Sequence, residues 1–431
     1  MLKMLSKVEE SKKRDEELLK ISKDVKVITL LGLLKIAPFI SNLLIAYLIL
    51  RVAPVDVYAE YLVAVSWVFF LVTPISYALN TLVVKEISQG GGFSILRNYQ
   101  LIIILSFILF ILLTILVYKE SVIGNYVLYF CMSSLALVMM ITAVISGILR
   151  GVGKTIKSQL ADISIRPIFL FVVVVWYLLN IDITTPWEIV ATYLLSSVVM
   201  LIVLVLIANK SNESKSYIKT KQGERRSQRP AIIKTLLVSV PSYANLWYME
   251  GVIVLLGMIG NSNEILSFKI SLVVSSLISV PLGLVNVVYA RQIASSLENK
   301  VELISIMGKA RLMGSVMSML IFFVLIIGGE VISNFYTQDD NNYFNITIFY
   351  VLSFGFLFSA YVGPVGQLMI MMNNEKVALK MSVISMIISI LIFFLVVDRL
   401  GATGAAIAVV VGNSLVNLLF YREYKKYISS F

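Results

Sequence analysis

The stretch SGILRGVGKTIKSQLADISIRPIFLF, residues 146–171, shows the pattern from which the fold class of this chain can be predicted. It begins at the end of one apolar run, crosses a loop with four basic residues, and ends inside the next apolar run. About 20 mainly apolar residues cross a bilayer as a helix, and loops rich in Lys and Arg stay on the cytoplasmic side. The stretch therefore predicts two membrane-spanning helices joined by a cytoplasmic loop.

The same pattern repeats along the chain and predicts an all-α integral membrane protein with twelve transmembrane helices. Of the 36 Lys and Arg residues, all but Arg51, Lys119, Lys269 and Arg399 lie in the tails, in alternate gaps, or in the parts of the apolar runs next to those gaps. This alternation and the even number of spans predict that both termini face the cytoplasm. The twelve apolar runs lie near 27–50, 57–83, 99–118, 125–149, 164–180, 186–208, 232–259, 265–290, 310–331, 342–370, 377–397 and 402–421.

Composition argues against several other classes of protein. The chain is 59% hydrophobic and only 14% charged, and a nucleic-acid-binding protein would carry its net charge of +11 with far less apolar sequence. Cys131 is the only cysteine and there is no histidine, so neither a disulfide framework nor a multi-cysteine or imidazole metal site is expected. We expect no cofactor and no metal. The short outer gaps leave no room for an extracytoplasmic catalytic domain.

Two long polar segments predict five parts: a cytoplasmic tail at 1–26, a six-helix bundle at 27–208, a cytoplasmic linker at 209–231, a second six-helix bundle at 232–421, and a cytoplasmic tail at 422–431. The first tail is either a solvated helix or an amphipathic helix on anionic lipid. A weak repeat with an offset of 206 residues aligns Asn80 with Asn286 and Lys85 with Arg291. It predicts two bundles related by a pseudo-twofold axis along the membrane normal, with a cavity between them.

Three segments resemble one transporter family. They are residues 146–171, with the turn Leu-Arg-Gly-Val-Gly-Lys; residues 363–376, GPVGQLMIMMNNEK; and residues 396–421, with the run Gly-Ala-Thr-Gly-Ala-Ala-Ile-Ala. Together with the twelve-helix layout they resemble the Wzx polysaccharide and oligosaccharide flippases, which belong to the MATE-related superfamily of multidrug, oligosaccharidyl-lipid and polysaccharide exporters. Small-residue helix openings also serve close packing alone.

The resemblance implies a flippase of the bacterial cytoplasmic membrane. Such a protein moves an undecaprenyl-diphosphate-linked oligosaccharide from the inner to the outer leaflet for O-antigen, capsule or exopolysaccharide synthesis. Glycosyltransferases and a polysaccharide polymerase are then the expected partners, beside the lipid-linked saccharide and membrane lipid. The diphosphate and sugars must cross hydrocarbon, which predicts a polar, cationic cavity and alternating access between the two bundles.

Charges inside apolar runs are the first candidates for substrate contact, because an ionisable group there is costly unless it faces water, a partner or substrate. Lys35 lies in the first run, where it either meets a phosphate or snorkels to the interface. Glu250 and Lys269 lie on neighbouring antiparallel helices, where they form either an ion pair that opens during transport or a static one. Of the two, Lys269 is the expected phosphate or sugar contact.

Charges at the helix ends are the second group of candidates. Arg150, Lys154 and Arg166 either capture the diphosphate or belong to a solvated loop that sets topology. Ion pairs or gating contacts are the expected role of a further set: Arg51 with Glu60, Asp162 at the start of the fifth run, and the repeat-related Lys85 and Arg291.

Two other functions stay open. A MATE-like, cation-coupled exporter of small drugs or metabolites shares the fold, although the first run carries Lys35 and no acidic residue. A membrane enzyme such as a polymerase or glycosyltransferase is the third class. It usually needs a long soluble loop, acidic metal ligands or a dedicated base, and the sequence supplies no such cluster. We therefore expect a transporter and not an enzyme.

Overall fold

The computed structural model describes residues 39–88, 94–117, 126–154, 157–158, 166–180, 183–209, 231–297, 299–338, 341–372 and 375–430. Almost all of them are helical, as expected for apolar segments that must satisfy every backbone N–H and C=O group internally when they lie in lipid. Among the described residues before the linker, six helices have defined bounds: α1 (Phe39–Val52), α2 (Val55–Ser88), α3 (Ser94–Val117), α4 (Tyr126–Gly151), α5 (Arg166–Asn180) and α6 (Pro186–Asn209).

The part after the linker has more breaks. A π-helical turn, Trp247–Gly251, separates α7 from α8, and a 3-10 turn, Leu277–Ser279, separates α9 from α10. Two short strands, β1 (Thr337–Gln338) and β2 (Asn341–Asn342), pair antiparallel between α12 and α13. The helices are α7 (Ala231–Leu246), α8 (Val252–Ile259), α9 (Ser262–Ser276), α10 (Val280–Ser295), α11 (Lys300–Ile327), α12 (Gly329–Phe335), α13 (Ile346–Val362), α14 (Val365–Met371) and α15 (Glu375–Ser429).

The predicted all-α membrane fold is confirmed. Eight helical stretches in the described residues are long and apolar enough to cross a membrane, and three shorter apolar helices lie at Phe39–Val52, Pro167–Tyr177 and Ile346–Val362. One of the eight, at Lys376–Ser429, holds the eleventh and twelfth apolar runs. Each of the twelve runs therefore overlaps a described helix, which is consistent with the predicted twelve spans.

The helix α15 folds back on itself at Gly401, where φ is +53°. Ser389 Oγ donates a hydrogen bond to the Ala408 carbonyl at 2.8 Å, and Ser385 Oγ donates one to the Gly412 carbonyl. These contacts make its two arms an antiparallel pair. A Cβ at Gly401 would lie 2.5 Å from the Glu264 carboxylate, so both the backbone conformation and the space require glycine.

One boundary differs from the sequence prediction. The tenth run was predicted as a single segment at 342–370, but the chain breaks at Gly363, where φ is +91°, and separates α13 from α14. The segment predicted as a cytoplasmic tail, 422–431, is an extension of α15 as far as Ser429, and its side of the membrane stays a prediction. Tyr427 explains the extension, because its hydroxyl donates to the Leu297 carbonyl at 2.8 Å and its ring packs in an apolar cluster with α10 and α14.

The helix α2 is the centre of the packing. It contacts α4 and α6 on one side and α7, α8 and α9 on the other, so it joins the two parts of the chain. Two glycines of α4 allow close approach: a Cβ at Gly147 would lie 3.0 Å from the Asn80 carbonyl, and one at Gly151 would lie 2.8 Å from Ile87. Small residues at such crossings are typical of membrane helices.

The bundle has two ends, which we name after one residue each. The Asp56 end contains the start of α2, the turn between α8 and α9, and the Gly401 turn; there Ser262 Oγ donates to Asp56 Oδ1 at 2.5 Å. The Arg150 end contains the last turns of α2, α4, α10 and α15.

Charge is unequally divided between these ends. The Asp56 end carries Asp56, Glu60, Glu188, Glu264, Glu330 and Asp398, with Arg51 and Arg399 as its cations. Basic residues of the described chain lie mainly at the other end, together with Glu86, Glu302 and Glu423. They are Lys85, Arg150, Lys154, Lys157, Lys300, Lys309, Arg311, Lys376, Lys380, Arg422, Lys425 and Lys426. This is the distribution that the alternating basic gaps predict for a membrane protein of fixed orientation.

Candidate functional site

A cavity of about 570 Å³ lies between α2 and the helices around it. Its walls come from α1, α2, α4, α5 and α6 of the first part of the chain, while the second part contributes a few residues from α7, the π-helical turn and α9. The described charged residues in the lining are Arg150, Glu250 and Lys269. Cavities of this size hold drug-sized ligands.

Glu250 and Lys269 form an ion pair on the cavity wall. Lys269 Nζ lies 3.0 Å from Glu250 Oε1 and 2.9 Å from Oε2, and Ser66 Oγ of α2 donates to Oε2 at 2.7 Å. The side chains of Lys269 and Glu250 are 20% and 17% exposed. The carboxylate is thus held by three hydrogen bonds from two helices, and its charge is neutralised before any ligand enters.

The local structure around Glu250 explains its position. It lies in the π-helical turn. Turns of this kind are rare in proteins, and those that occur are often found at functional sites. Two aromatic residues of that turn are anchored on α15: Trp247 Nε1 donates to Ser389 Oγ at 3.0 Å, and the Tyr248 hydroxyl lies 2.7 Å from Ser385 Oγ. Buried indole and phenol groups need such partners, and these fix the turn that carries Glu250.

Arg150 occupies the opposite end of the cavity. Its Nη1 donates to Asn80 Oδ1 and its Nε donates to Ser158 Oγ, both at 3.4 Å. Ser158 is in turn 2.6 Å from Ser146 Oγ. The long distances indicate weak bonds, so the guanidinium is oriented toward the cavity without being saturated by its neighbours.

The sequence Leu-Arg-Gly-Val-Gly-Lys, residues 149–154, ends the helix α4 at Gly151. Gly153 adopts φ +84°; its N–H donates to the Arg150 carbonyl at 2.9 Å, and the Lys154 N–H donates to the Leu149 carbonyl at 2.8 Å. This is a Schellman motif, in which a glycine with positive φ reverses the chain and satisfies the last carbonyls of the helix. Together with the close packing of Gly151, it gives each glycine of the motif a physical role.

The Asp56 end of the cavity is closed by contacts between the two parts of the chain. The Tyr336 hydroxyl donates to the Leu43 carbonyl at 2.9 Å, and Tyr47 stacks on Phe335 with ring centroids 4.0 Å apart. Beyond them α9 packs on α2, whereas α10, nearer the Arg150 end, packs on α11 and α14.

This closure can be tested by cross-linking. In a Cys131→Ala background, the double variant Asp56→Cys/Ser262→Cys should be cross-linked almost completely by a short bifunctional thiosulfonate reagent, since the native side chains touch at 2.5 Å. A matched pair from opposite ends, Asp56→Cys/Lys300→Cys, should show no intramolecular product. Electrophoresis under non-reducing conditions after trypsin cleavage of the linker measures both. Equal yields from the two pairs would contradict the arrangement.

The remaining predicted site residues are placed as follows. Lys154 follows the Gly153 turn, and Lys85 lies in the last turn of α2. The Arg51 guanidinium lies 5.1 Å from the Tyr47 ring centroid, and its pairing with Glu60 stays a prediction. Lys35 and Asp162 lie outside the described residues, and Arg166 and Arg291 are described only as backbone in α5 and α10.

Sequence reasoning missed the neutral polar residues of the cavity. Ser66 and Asn80, which bind Glu250 and Arg150, lie on α2 with Thr73 and Ser76 at helical spacing, and this periodicity was the available signal. Within the described part of the chain, no group of three or more His, Cys, Asp or Glu residues is placed to hold a metal ion.

The chain is similar to known proteins in its fold but not in its sequence. Neither a protein-family model nor a curated protein sequence matches the chain. A solved structure described as the inward-facing conformation of a multidrug resistance MATE family transporter of the MOP superfamily superposes with a TM-score of 0.68, at 14% identity, over 93% of this chain and 98% of that one. This chain has the MATE fold.

Two further structures support the same fold. A eukaryotic MATE transporter superposes with a TM-score of 0.61 at 14% identity, over 96% of this chain and 98% of that one. A MOP superfamily transporter from Pyrococcus furiosus, whose description refers to a reversed polarity of its binding pocket, superposes with a TM-score of 0.60 at 14% identity, over 94% and 96% of the two chains. The MATE fold thus accounts for nearly the whole chain.

Proposed function

We propose that this protein is a flippase for an anionic, lipid-linked oligosaccharide. The observation that carries the proposal is the charge of the cavity. Glu250, the carboxylate of the described lining, is already neutralised by Lys269, and Arg150 adds a cation at the other end. A cavity with this balance favours an anionic headgroup such as a diphosphate, because Arg binds phosphate through charge-assisted hydrogen bonds.

The membrane orientation belongs to the same proposal. Positive charge concentrates at the Arg150 end, which would then face the cytoplasm of a bacterial cell together with both termini and the linker. With the Asp56 end closed, Arg150 would meet the diphosphate first as the substrate loads from the inner leaflet. Opening at the Asp56 end and closing at the Arg150 end would release it, while the polyprenyl tail stays in lipid.

The units that move would be the two predicted bundles, 27–208 and 232–421. In this scheme glycosyltransferases supply the undecaprenyl-diphosphate-linked saccharide and a polymerase uses the flipped product for O-antigen, capsule or exopolysaccharide. The chain's own contribution is binding and orientation of the headgroup.

The proposal predicts a specific effect at Arg150. In proteoliposomes, wild-type protein should move undecaprenyl diphosphate carrying a fluorescent oligosaccharide between leaflets, as measured by quenching with an impermeant reductant. Arg150→Gln should reduce the initial rate about tenfold by raising the apparent substrate KM, since one charge-assisted contact contributes roughly 1.5–3 kcal/mol. Arg150→Lys, which keeps the charge, should restore part of the rate. An unchanged rate in Arg150→Gln argues against loading at this residue.

The second candidate is a MATE-like exporter of small drugs or metabolites, which the shared fold favours. The exporter would differ from the flippase in the charge of its ligand. An organic cation needs an available carboxylate, so the ion pair between Glu250 and Lys269 would have to break before Glu250 could bind the ligand. Uptake of a cationic dye by inverted vesicles, with no movement of the lipid-linked saccharide in proteoliposomes, would decide for the exporter.

A further inference from the structure

A row of neutral polar side chains runs along α2 between the charged ends of the cavity. We call Ser66, Thr73, Ser76 and Asn80 the hydroxyl track, although its last member is an amide; all four line the cavity. Their spacings of seven, three and four residues place them on one face of the helix. At 1.5 Å per residue the track is about 21 Å long. It therefore connects the Glu250–Lys269 ion pair to Arg150.

Two hydroxyl groups in the middle of the track lack partners. The oxygens Thr73 Oγ1 and Ser76 Oγ are buried and have no hydrogen-bond partner among the described residues, and Ser76 is only 8% exposed. Another lining residue, Ser197, shows the usual arrangement, because its hydroxyl donates to the Tyr193 carbonyl of its own helix at 3.0 Å. Leaving a buried hydroxyl unsatisfied costs about 1–3 kcal/mol, so two such groups side by side on a cavity wall require an explanation.

The rest of the cavity lining has the same chemical character. Thr142 and Ser146 of α4 add hydroxyl groups, and Tyr61, Tyr77 and Tyr193 add phenol rings to the lining. Hydroxyl groups can both donate and accept hydrogen bonds, and aromatic rings present flat apolar faces. Neutral donors and acceptors beside aromatic rings match a ligand that carries many hydroxyl groups on apolar rings and no charge.

We infer that the hydroxyl track binds the neutral sugar rings of the transported headgroup. This assignment rests on the proposed function, because it takes the cation at Arg150 to hold the diphosphate. The sugars then lie along α2, where Thr73 and Ser76 supply hydrogen bonds that nothing else in the described chain uses, and reach toward Ser66. The track would thus select for the saccharide, while the charged residues select for the diphosphate.

The test uses two probes that differ only in the sugars: undecaprenyl diphosphate, and undecaprenyl diphosphate carrying a neutral trisaccharide. Purified wild-type protein in lipid nanodiscs should bind the trisaccharide lipid at least tenfold more tightly than the sugar-free lipid. Thr73→Val/Ser76→Ala should remove most of that preference and leave binding of undecaprenyl diphosphate unchanged. Folding should be preserved, since replacing an unpaired hydroxyl by an apolar group of similar shape is nearly neutral.

Ser318→Ala is the matched control. Ser318 Oγ is also buried without a partner in the described residues, but it lies on α11 and not in the cavity lining, so its loss should leave the preference intact. A double variant that keeps the wild-type preference, or one that weakens both probes equally, overturns the sugar assignment, as does a wild-type protein that binds both probes equally well. A wild-type protein that binds neither probe overturns the proposed function itself.

Discussion

Replacing Lys269 by Gln should reduce transport of the lipid-linked saccharide by about tenfold to a hundredfold. The substitution removes the ammonium that lies 2.9 Å from Glu250 Oε2 and that we expect to contact the diphosphate. Each factor of ten corresponds to about 1.4 kcal/mol, and a hydrogen bond to a charged group contributes roughly 1.5–3 kcal/mol. The proteoliposome assay measures the rate, and thermal unfolding in detergent measures stability.

Stability and binding are separated by two partner variants. Glu250→Gln leaves Lys269 as a cation without its carboxylate partner, so it should retain binding of the lipid-linked saccharide. Glu250→Gln/Lys269→Gln leaves no bare charge and should fold normally, yet lose transport to the same degree as Lys269→Gln. Breaking one side of a part-buried ion pair is destabilising because it leaves a charge uncompensated, and the double variant removes that effect. Wild-type transport by the double variant would show that the pair has no role in substrate binding.

Replacing Gly257 by Leu should open the Asp56 end of the bundle. A Cβ at this position would already lie 2.5 Å from Val63 Cγ2 of α2, so a larger side chain must push α8 away from α2. Overpacking of this kind costs about 1–3 kcal/mol. We expect the cross-linking yield of the Asp56→Cys/Ser262→Cys pair to fall about tenfold in this variant, as measured on the same gel.

Gly308 provides the control for this experiment, because it lies on α11 with no atom within 4 Å of its Cβ position. Gly308→Leu should leave both the cross-linking yield and the unfolding temperature close to wild type. The cross-linking yield of Gly257→Ala should lie between those of Gly257→Leu and Gly308→Leu. If Gly257→Leu cross-links as fully as wild type, the contact between α2 and α8 does not hold the Asp56 end closed.

The sequence predicted the layout of helices because its two signals, apolar length and alternating basic gaps, act over whole segments. It also placed Glu250 and Lys269 on neighbouring helices, since a turn as short as 260–261 forces α8 and α9 together. Breaks within an apolar segment were not predicted. Gly363 and the π-helical turn lie within segments that are apolar overall, so the mean hydropathy of a segment does not locate them.

The site was only half predictable for a related reason. Charged residues stand out in an apolar run, and three of those singled out, Arg150, Glu250 and Lys269, lie in the cavity lining. Serine and threonine do not stand out, because membrane helices use them widely for packing and for hydrogen bonds to their own backbone. Only the contacts of Ser66 and the unpaired hydroxyls of Thr73 and Ser76 distinguish these from structural residues.

The ion pair of Glu250 with Lys269 also affects the step in which an empty transporter returns to its loading conformation. After unloading, an alternating carrier must turn around empty, and a bare charge then has to pass through a dehydrated state of low dielectric, which costs several kcal/mol. Here the counter-ion of the Glu250 carboxylate is the Lys269 ammonium of the same chain, at 3.0 and 2.9 Å from the two carboxylate oxygens. In the proposed transport cycle, the empty protein would therefore return with no net charge at this position, and an uncompensated charge would cross only together with the substrate.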